Sequence, residues 1–270
     1  MTETVPGIRL PGVEKEVSRL ILGTDYYAPE LMDRIAPIMD EFVALGGTTF
    51  DTARIYGLGK SETALGQWIR ERGVRNKVNV WTKGAHPDLS GRPRVSKAAI
   101  DEDVERSLEA LQLDYVDMYA LHRDDPSVDV GEIIEALNAH IEAGRVRAIG
   151  ASNWTYRRLQ EANDYAAAHG LVGFSFSSPN FSLAKAKEPY WPGCVSVDAE
   201  TWAWHLGSKL PLLSWSSQAR GFFSGRYTPD NRENADLVRV FYSEENWARY
   251  YRAEALAKRR GANVTQIALA

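Results

Sequence analysis

The sequence contains one cysteine, Cys194, among its 270 residues. A single cysteine cannot form an internal disulfide, so it gives no sign of an oxidising compartment and cannot build a thiolate metal cluster. An excess of basic charge is also missing, because 32 Lys and Arg stand against 36 Asp and Glu for a net charge of −4. Since phosphate backbones are bound by concentrated basic surfaces, we expect no nucleic acid partner.

Long apolar runs are absent as well. No stretch approaches the roughly 20 apolar residues that a membrane-spanning helix needs. The N-terminal segment MTETVPGIRLPG has no basic stretch followed by an apolar run, so it does not resemble a signal peptide. We therefore expect no membrane association and a cytoplasmic location. The mixture of 44% hydrophobic and 25% charged residues is typical of a folded globular protein, which excludes disordered, collagenous and coiled-coil chains.

The chain does contain a regular alternation of short apolar runs and longer helical patterns. Alternation with short connections predicts βαβ units around a parallel sheet. The predicted strands are Leu20–Leu22, Thr48–Asp51, Val78–Thr82, Val116–Leu121, Val146–Ala151, Leu171–Phe176 and Leu210–Ser214. The predicted helices are Pro29–Leu45, Ser61–Arg72, Ser96–Leu111, Val130–Ala143, Thr155–His169 and Ala199–Leu206.

This alternation fits a barrel better than a doubly wound sheet. A doubly wound dinucleotide-binding sheet carries a Gly-rich fingerprint after its first strand, whereas here Gly23 is followed by Thr-Asp-Tyr-Tyr. The segment GLGKS at 57–61 also lacks phosphate-loop spacing. No linker or composition shift separates two domains, so we expect residues 1–270 to form one barrel domain. The connections 177–198 and 218–244 exceed ordinary loop lengths, which favours functional loops.

Four ionisable residues stand at or just after the ends of three consecutive predicted strands. Asp51 ends the second strand, Tyr56 follows five residues later, Lys83 ends the third, and His122 ends the fourth. Any one of them alone is more often a turn former or a packing residue. In a parallel barrel, however, these strand ends converge on one mouth, where the chemistry of such folds takes place. The four residues together therefore predict an active site.

The segments around these residues resemble the aldo-keto reductase family. They are FDTARIYGLGKSETALGQWI at 50–69, VWTKG at 80–84, SLEALQLDYVDMYALHRDD at 107–125 and GRVRAIGASNW at 144–154. The resemblance runs from about residue 17 to the last residue. It implies a (β/α)8 TIM barrel that reduces an aldehyde or ketone with NAD(P)H. It favours NADP(H) as the cofactor and leaves NAD(H) open. A small carbonyl compound or alcohol, the substrate, is the only partner that the resemblance suggests.

The resemblance gives each of the four residues a role that elementary chemistry supports. Tyr56 would be the general acid, and the base in the oxidative direction. A tyrosine of ordinary pKa, about 10, is a weak proton donor, and an adjacent ammonium lowers that pKa. Lys83 would supply this ammonium, and Asp51 would keep it charged and in place. His122 would donate a hydrogen bond to the substrate oxygen.

The resemblance also suggests residues that bind the cofactor and the substrate. Ser152 and Asn153 would bind the nicotinamide carboxamide, Trp215 would stack on the ring, and Gly23 and Thr24 would lie near the ribose. The predicted cofactor-binding residues are Gly23, Thr24, Ser152, Asn153, Ser178, Trp215, Ser216 and Gln218. The predicted substrate-binding residues are Tyr26, Trp81 and Trp154.

Two features depart from the family pattern. Ser178 stands where the family usually has a glutamine, and its shorter side chain would lose a direct contact with the carboxamide or bridge it through water. The chain also stops in a segment that resembles the helical region before the eighth strand. We therefore expect the barrel formed by these residues to lack its eighth strand and its last helix, which lie in a further segment of roughly 50 residues. That segment would hold the residues that decide between NADP and NAD.

Two other functions stay open at this point. The chain could bind the cofactor as a non-catalytic regulatory relative of the family. It could also be a metal-dependent hydrolase that uses Asp51 and His122. A single histidine in the sequence HRDD at 122–125, with no second strand-end His or Glu, is a poor zinc set, so no metal site is expected.

Overall fold

The structure, a computed structural model, describes residues 5–270. The chain forms two compact units. The first unit contains the residues up to Ser152 together with Tyr156–Phe176, and the second contains Asn153–Thr155 and Ser177–Ala270. That residues 1–270 form one domain stays a prediction.

Most strands belong to one sheet, in which spatial order follows chain order. The strands are β1 (Gly7–Ile8), β2 (Val17–Ser18), β3 (Leu22–Gly23), β4 (Thr49–Asp51), β5 (Asn79–Gly84), β6 (Val116–Leu121), β7 (Val146–Ser152) and β8 (Phe176–Ser178). Strands β1 and β2 form a separate antiparallel pair. Strands β3 to β8 lie side by side in sequence, and the pairs from β3 to β7 are parallel. Their carboxyl ends therefore meet at one edge of the sheet, which is where the predicted site lies.

Helices follow the strands, as the alternation predicts. The α-helices are α1 (Met32–Ala44), α2 (Lys60–Arg72), α3 (Lys97–Leu111), α4 (Val130–Glu142), α5 (Tyr156–Ala168), α6 (Ala199–Ser208), α7 (Ala235–Phe241), α8 (Glu244–Arg260) and α9 (Val264–Leu269). Polar caps define several starts: the Ser96 hydroxyl accepts the amide hydrogen of Ala99, and the Asp129 carboxylate accepts that of Gly131. No helix within residues 5–270 has the length and apolar character needed to cross a membrane.

The sixth predicted strand lies later in the chain than expected. The apolar pattern predicts it at Leu171–Phe176, whereas β8 is Phe176–Ser178. The reason is that helix side chains bind the backbone of the preceding residues. Asn138 bonds both the N–H and the C=O of Val172, and Asn163 bonds both groups of Phe174. These backbone groups are satisfied without a strand partner.

The seventh predicted strand, Leu210–Ser214, forms only an isolated parallel bridge between Leu212 and Ser177. Proline has no N–H to donate to a ladder, so Pro211 interrupts pairing on this segment. Its carbonyl still accepts a hydrogen bond from Ser177 N at 2.9 Å. Within the described residues the parallel sheet therefore contains six strands rather than seven.

The core of the first unit lies between the sheet and its helices. Fully buried side chains from both layers meet there, including Phe50 on β4 and Trp68 on α2, whose ring centroids are 5.1 Å apart. The second unit has its own aromatic core. It is built on Phe222, Phe223, Phe241, Trp247 and Tyr250.

Close packing of α2 on α3 depends on Gly66. A Cβ at this position would lie 2.1 Å from the carbonyl oxygen of Leu111. We expect Gly66→Ala to lower the free energy of unfolding by about 1–3 kcal/mol, the usual cost of overpacking. Urea unfolding measures this loss.

Gly207 in α6 is the matched control, because nothing lies within 4 Å of a Cβ built there. Gly207→Ala should leave stability unchanged or raise it slightly, since alanine favours helices. Equal effects of the two substitutions would show that the α2–α3 contact is not tight.

Candidate active site

Strand pairing brings the four predicted catalytic residues to one edge of the first unit. Asp51 ends β4 and pairs in register with Trp81, and Lys83 in β5 pairs with Ala120 of β6. His122 directly follows β6, and its backbone N–H donates to the carbonyl of Gly84 at 2.8 Å. Tyr56 begins the short 3-10 helix Tyr56–Gly59 after β4. The alignment of strand ends predicted from the sequence is therefore present.

Lys83 is the centre of the group. Its side chain is only 3% exposed, and its ammonium forms an ion pair with the Asp51 carboxylate. The ammonium also donates to the Thr52 carbonyl at 3.0 Å and lies 3.4 Å from the Tyr56 hydroxyl oxygen. A lysine whose donors are shared in this way is fixed in position and points at the tyrosine oxygen.

His122 completes the set. Its ring meets the Tyr56 ring edge to face, with centroids 5.7 Å apart. The histidine is 8% exposed. All four predicted residues are thus neighbours, and a tyrosine hydroxyl and an imidazole lie together beside a buried ammonium. Such a group can protonate and hydrogen-bond one substrate oxygen.

Burial and the ion pair shift the pKa values of these groups. Burial raises the pKa of Tyr56, and Lys83 lowers it by less, so the pKa lies above its ordinary value. The lowering by Lys83 that the sequence predicts is present, but burial outweighs it, so the net shift of the Tyr56 pKa is upward. Burial lowers the pKa of Lys83, yet the neighbouring Asp51 and Tyr56 raise it by more, so the lysine keeps its proton. Burial likewise raises the pKa of Asp51 against the lowering effect of Lys83.

The pKa of His122 lies well below its ordinary value, first because the ring is buried and then because Lys83, His86 and Arg123 are nearby. A neutral imidazole can donate one hydrogen bond and accept another. His122 is therefore suited to donate a hydrogen bond to a substrate oxygen at neutral pH without carrying charge.

These directions predict a simple pH dependence. If Tyr56 is the proton donor, kcat/KM should stay flat through neutral pH and fall as pH rises through the Tyr56 pKa. Lys83→Met should move this alkaline limb to higher pH, because it removes the group that lowers that pKa. Since His122 stays neutral, no inflection is expected near pH 6.5, about the ordinary histidine value. Rates measured across the pH range check both points, and an inflection there that disappears in His122→Gln would contradict the second.

The residues that anchor the segment on either side of Tyr56 are not predicted from the sequence. Arg54 forms an ion pair of 2.6 Å with Glu62, a residue of α2 with no exposed surface. The other oxygen of Glu62 accepts from the Thr82 hydroxyl at 2.7 Å. The Arg54 guanidinium and backbone N–H donate to the carbonyls of Leu58 and Lys83 respectively. This network joins the segment that carries Tyr56 to the strand that carries Lys83.

The first unit also contains part of the predicted cofactor site. Gly23 is an exposed residue at the end of β3. Thr24 is fully buried, and its hydroxyl bonds to the Asp51 carbonyl at 3.0 Å and the Ser61 hydroxyl at 2.7 Å. Thr24 therefore ties the ends of β3 and β4 together. Ser152, 1% exposed, ends β7.

The second unit brings Asn153, Ser178 and Trp215 together. The backbone N–H of Asn153 donates to the Ser178 carbonyl at 3.2 Å. The Asn153 side-chain oxygen accepts from the indole N–H of Trp215 and from the Val195 backbone, each at 3.2 Å. Asn153 has a φ of 62°, a left-handed conformation that asparagine tolerates better than most residues. An amide, a hydroxyl and a half-buried aromatic face thus lie in one place.

The remaining predicted cofactor residues follow Trp215 in the chain. Ser216 has a φ of 50°, and its carbonyl accepts from Ala219 N at 2.8 Å. The carbonyl of Gln218 accepts from Gly221 N at 3.1 Å. The segment after Trp215 is therefore a tight turn leading into the 3-10 helix Ala219–Ser224. Contact of these residues with a cofactor stays a prediction.

The three predicted substrate residues differ in exposure. Tyr26 is 73% exposed, in the loop after β3. Trp81 is 2% exposed, and its ring lies under the Lys83 ammonium at 4.6 Å. Trp154 is 1% exposed. Trp81 therefore packs against Lys83, and the substrate contacts of all three residues stay predictions. In the described part of the chain, no three His, Cys, Asp or Glu residues cluster as a metal site would.

Comparison with known proteins places this geometry in a family. A family model described as the Aldo/keto reductase family matches residues 19–270. The chain is 30% identical over 196 residues to the aldo-keto reductase YhdN of Bacillus subtilis (strain 168), covering 72% of this chain and 55% of that protein. It is also 30% identical over 266 residues to the uncharacterized oxidoreductase YrpG of the same organism. This match covers 94% of this chain and 79% of that protein.

A further relative carries a different description. A putative voltage-gated potassium channel subunit beta of Schizosaccharomyces pombe is 30% identical over 203 residues, covering 74% of this chain and 57% of that protein. The matched stretch thus spans little more than half the length of this relative, as it does of YhdN.

Among solved structures, an aldo-keto reductase from Klebsiella pneumoniae in complex with NADPH superposes with a TM-score of 0.71 at 23% identity. The match covers 99% of this chain and 80% of that one. At this identity the similarity shows the fold. Together with the parallel strands and their helices, it confirms the predicted fold class, that of the (β/α)8 barrel enzymes.

Proposed function

The chain belongs to the aldo/keto reductase family of oxidoreductases, and we propose that it reduces an aldehyde or ketone to the alcohol at the expense of NAD(P)H, with NADP(H) favoured. The observation that carries this proposal is the placement of the Lys83 ammonium between the Asp51 carboxylate and the Tyr56 hydroxyl, with the His122 ring against Tyr56. The NADPH in the Klebsiella pneumoniae structure supports the choice of cofactor.

The residues of the second unit fit a nicotinamide. Asn153 and Ser178 would hold the carboxamide, because amide and hydroxyl groups match its donors and acceptor. Trp215 would lie against the ring face, and its indole N–H is already held by Asn153. When bound, the nicotinamide supplies the hydride that the carbonyl carbon receives.

The proton step belongs to the first unit. The Tyr56 hydroxyl donates its proton to the carbonyl oxygen as negative charge develops there. Lys83 stabilises the tyrosinate that results, at the 3.4 Å contact between ammonium and oxygen. His122, neutral because of its lowered pKa, donates a second hydrogen bond to the same oxygen. The hydride on the carbonyl carbon and the Tyr56 proton on its oxygen together give the alcohol.

Loss of NADPH absorbance with a simple aldehyde tests the proposal. We expect aldehyde-dependent oxidation of NADPH, unaffected by EDTA, with alcohol as the product. Hydrolysis of an ester or amide that depends on an added divalent metal, without NADPH oxidation, would instead support the metal-dependent hydrolase.

A regulatory role is the second candidate, and the similarity to the Schizosaccharomyces pombe protein described as a putative channel subunit favours it. A non-catalytic relative would bind NADPH, seen as quenching of tryptophan fluorescence, yet turn over no carbonyl. Binding without turnover across aldehydes and ketones would select this role. Turnover that is lost in Tyr56→Phe would select the reductase.

A further inference from the structure

We propose that His86 selects the substrate by accepting a hydrogen bond from a hydroxyl on the carbon next to the carbonyl, so that 2-hydroxy aldehydes and ketones are preferred. This inference rests on the proposed reductase function and names the substrate class of that site. The position of His86 in the structure suggests this role.

The His86 ring lies against the catalytic group. Its centroid is 4.9 Å from that of His122, and the two rings meet edge to face at 78°. The His122 ring in turn lies 5.7 Å from the Tyr56 ring. His86 is therefore one ring removed from the oxygen that Tyr56 and His122 would hold, near enough to meet a group on the carbon next to the carbonyl.

One nitrogen of His86 is already committed. Nδ1 lies 2.8 Å from the carbonyl oxygen of Pro87. A carbonyl only accepts hydrogen bonds, so Nδ1 carries the hydrogen, and in a neutral ring Nε2 is left as an acceptor. Burial lowers the pKa of His86, with Arg123 and Arg94 acting in the same direction, which keeps the ring neutral. A hydroxyl donor is the natural partner for such a nitrogen.

The backbone under His86 is rigid. Ala85 has a φ of 54°, in the left-handed region, and its N–H donates to the Asp103 carboxylate at 2.7 Å. Asp103 is 2% exposed and is paired with Arg94 at 2.9 Å. A side chain on so firmly held a support can act as a fixed reference point for a substrate group.

The cavity on the side of His86 away from the catalytic group offers no free positive charge. It has a volume of about 400 Å3 and is lined by His86, Leu58 and Leu89 among others, and by none of Asp51, Tyr56, Lys83 and His122. Its arginines are already paired with acids: Arg54 with Glu62, Arg94 with Asp103 and Glu102, and Arg106 with Glu102. Because these positive charges are compensated within the wall, a phosphate or carboxylate would find no free cation among them.

The test compares two aldehydes that differ by one hydroxyl, 2-hydroxypropanal and propanal, with NADPH. We expect the unaltered protein to show a higher kcat/KM for 2-hydroxypropanal. His86→Leu should lower that value about tenfold, as expected for one neutral hydrogen bond, and change the value for propanal less than twofold. His86→Gln, which keeps an acceptor oxygen near the position of Nε2, should restore part of the preference.

His169→Leu, at an exposed histidine after α5, is the control and should change neither value. Unchanged propanal reduction shows that the His86 variants are folded. If the unaltered protein reduces both aldehydes equally, or if His86→Leu lowers both values alike, the inference is wrong and the reductase function stands. If it reduces no carbonyl at all, the proposed function fails, and the inference with it.

Discussion

Tyr56→Phe is expected to lower kcat for carbonyl reduction by about 10²–10⁴, the range for loss of a general acid. The substitution removes one oxygen atom, the one that lies 3.4 Å from the Lys83 ammonium. The phenyl ring can keep its edge-to-face contact with His122. Steady-state rates with a simple aldehyde measure the loss. Because the role proposed for the tyrosine oxygen is toward the substrate, NADPH affinity, read from tryptophan quenching, should not change.

Tyr165→Phe is the matched control for this prediction. Its hydroxyl donates to Glu135 at 2.6 Å on an exposed surface of the first unit. Removing that hydroxyl should leave kcat unchanged. A Tyr56→Phe protein that retains full activity would exclude Tyr56 as the proton donor, and equal losses in the two variants would point to a general effect on folding.

Glu62→Ala is expected to destabilise the first unit and to lower activity together. Glu62 is fully buried between Arg54 and Thr82, so its removal leaves the Arg54 guanidinium without its carboxylate. We expect the free energy of unfolding to fall by about 3 kcal/mol, the lower end of the range for breaking a buried ion pair. The lower end applies because the Arg54 side chain is 22% exposed, so water can partly rehydrate it. Urea unfolding measures the stability.

Activity gives the second readout of this variant. Since Arg54 joins the Tyr56 segment to β5, kcat should fall more than the fraction of folded protein explains. Glu30→Ala is the control, because Glu30 pairs with Lys60 at 2.5 Å on the surface with more than half of each side chain exposed. It should leave stability and kcat unchanged. A Glu62→Ala protein as stable and active as the Glu30→Ala protein would contradict the proposed positioning role.

The part of the site that the sequence predicted depends on strand ends. Asp51, Lys83 and His122 could be placed together because parallel strands in register bring their carboxyl ends to one edge, and short apolar runs mark those ends. Tyr56 followed because it lies only five residues after Asp51. The same apolar pattern predicts a strand at Leu210–Ser214, but this segment contains Pro211 and forms only an isolated bridge. Apolar composition alone does not distinguish the two outcomes.

The supporting residues could not be predicted in this way. Glu62 lies on α2, where a charged residue is expected to face solvent, and its burial depends on Arg54 and Thr82 reaching it from two other elements. The net shift of the Tyr56 pKa could not be predicted from the sequence either, because it depends on how deeply the tyrosine is buried. The contact between the His86 and His122 rings likewise cannot be read from the sequence, because it follows a left-handed residue, Ala85, in the loop.

The most direct test of the proposed function follows the hydride itself. The protein is incubated with an aldehyde and NADPH that carries deuterium at the transferable position of the nicotinamide, and the alcohol is examined by mass spectrometry. A reductase predicts one deuterium on the carbinol carbon of the product, formed in step with the oxidation of NADPH. Alcohol without deuterium, or no alcohol from any aldehyde or ketone while NADPH is bound, would contradict it.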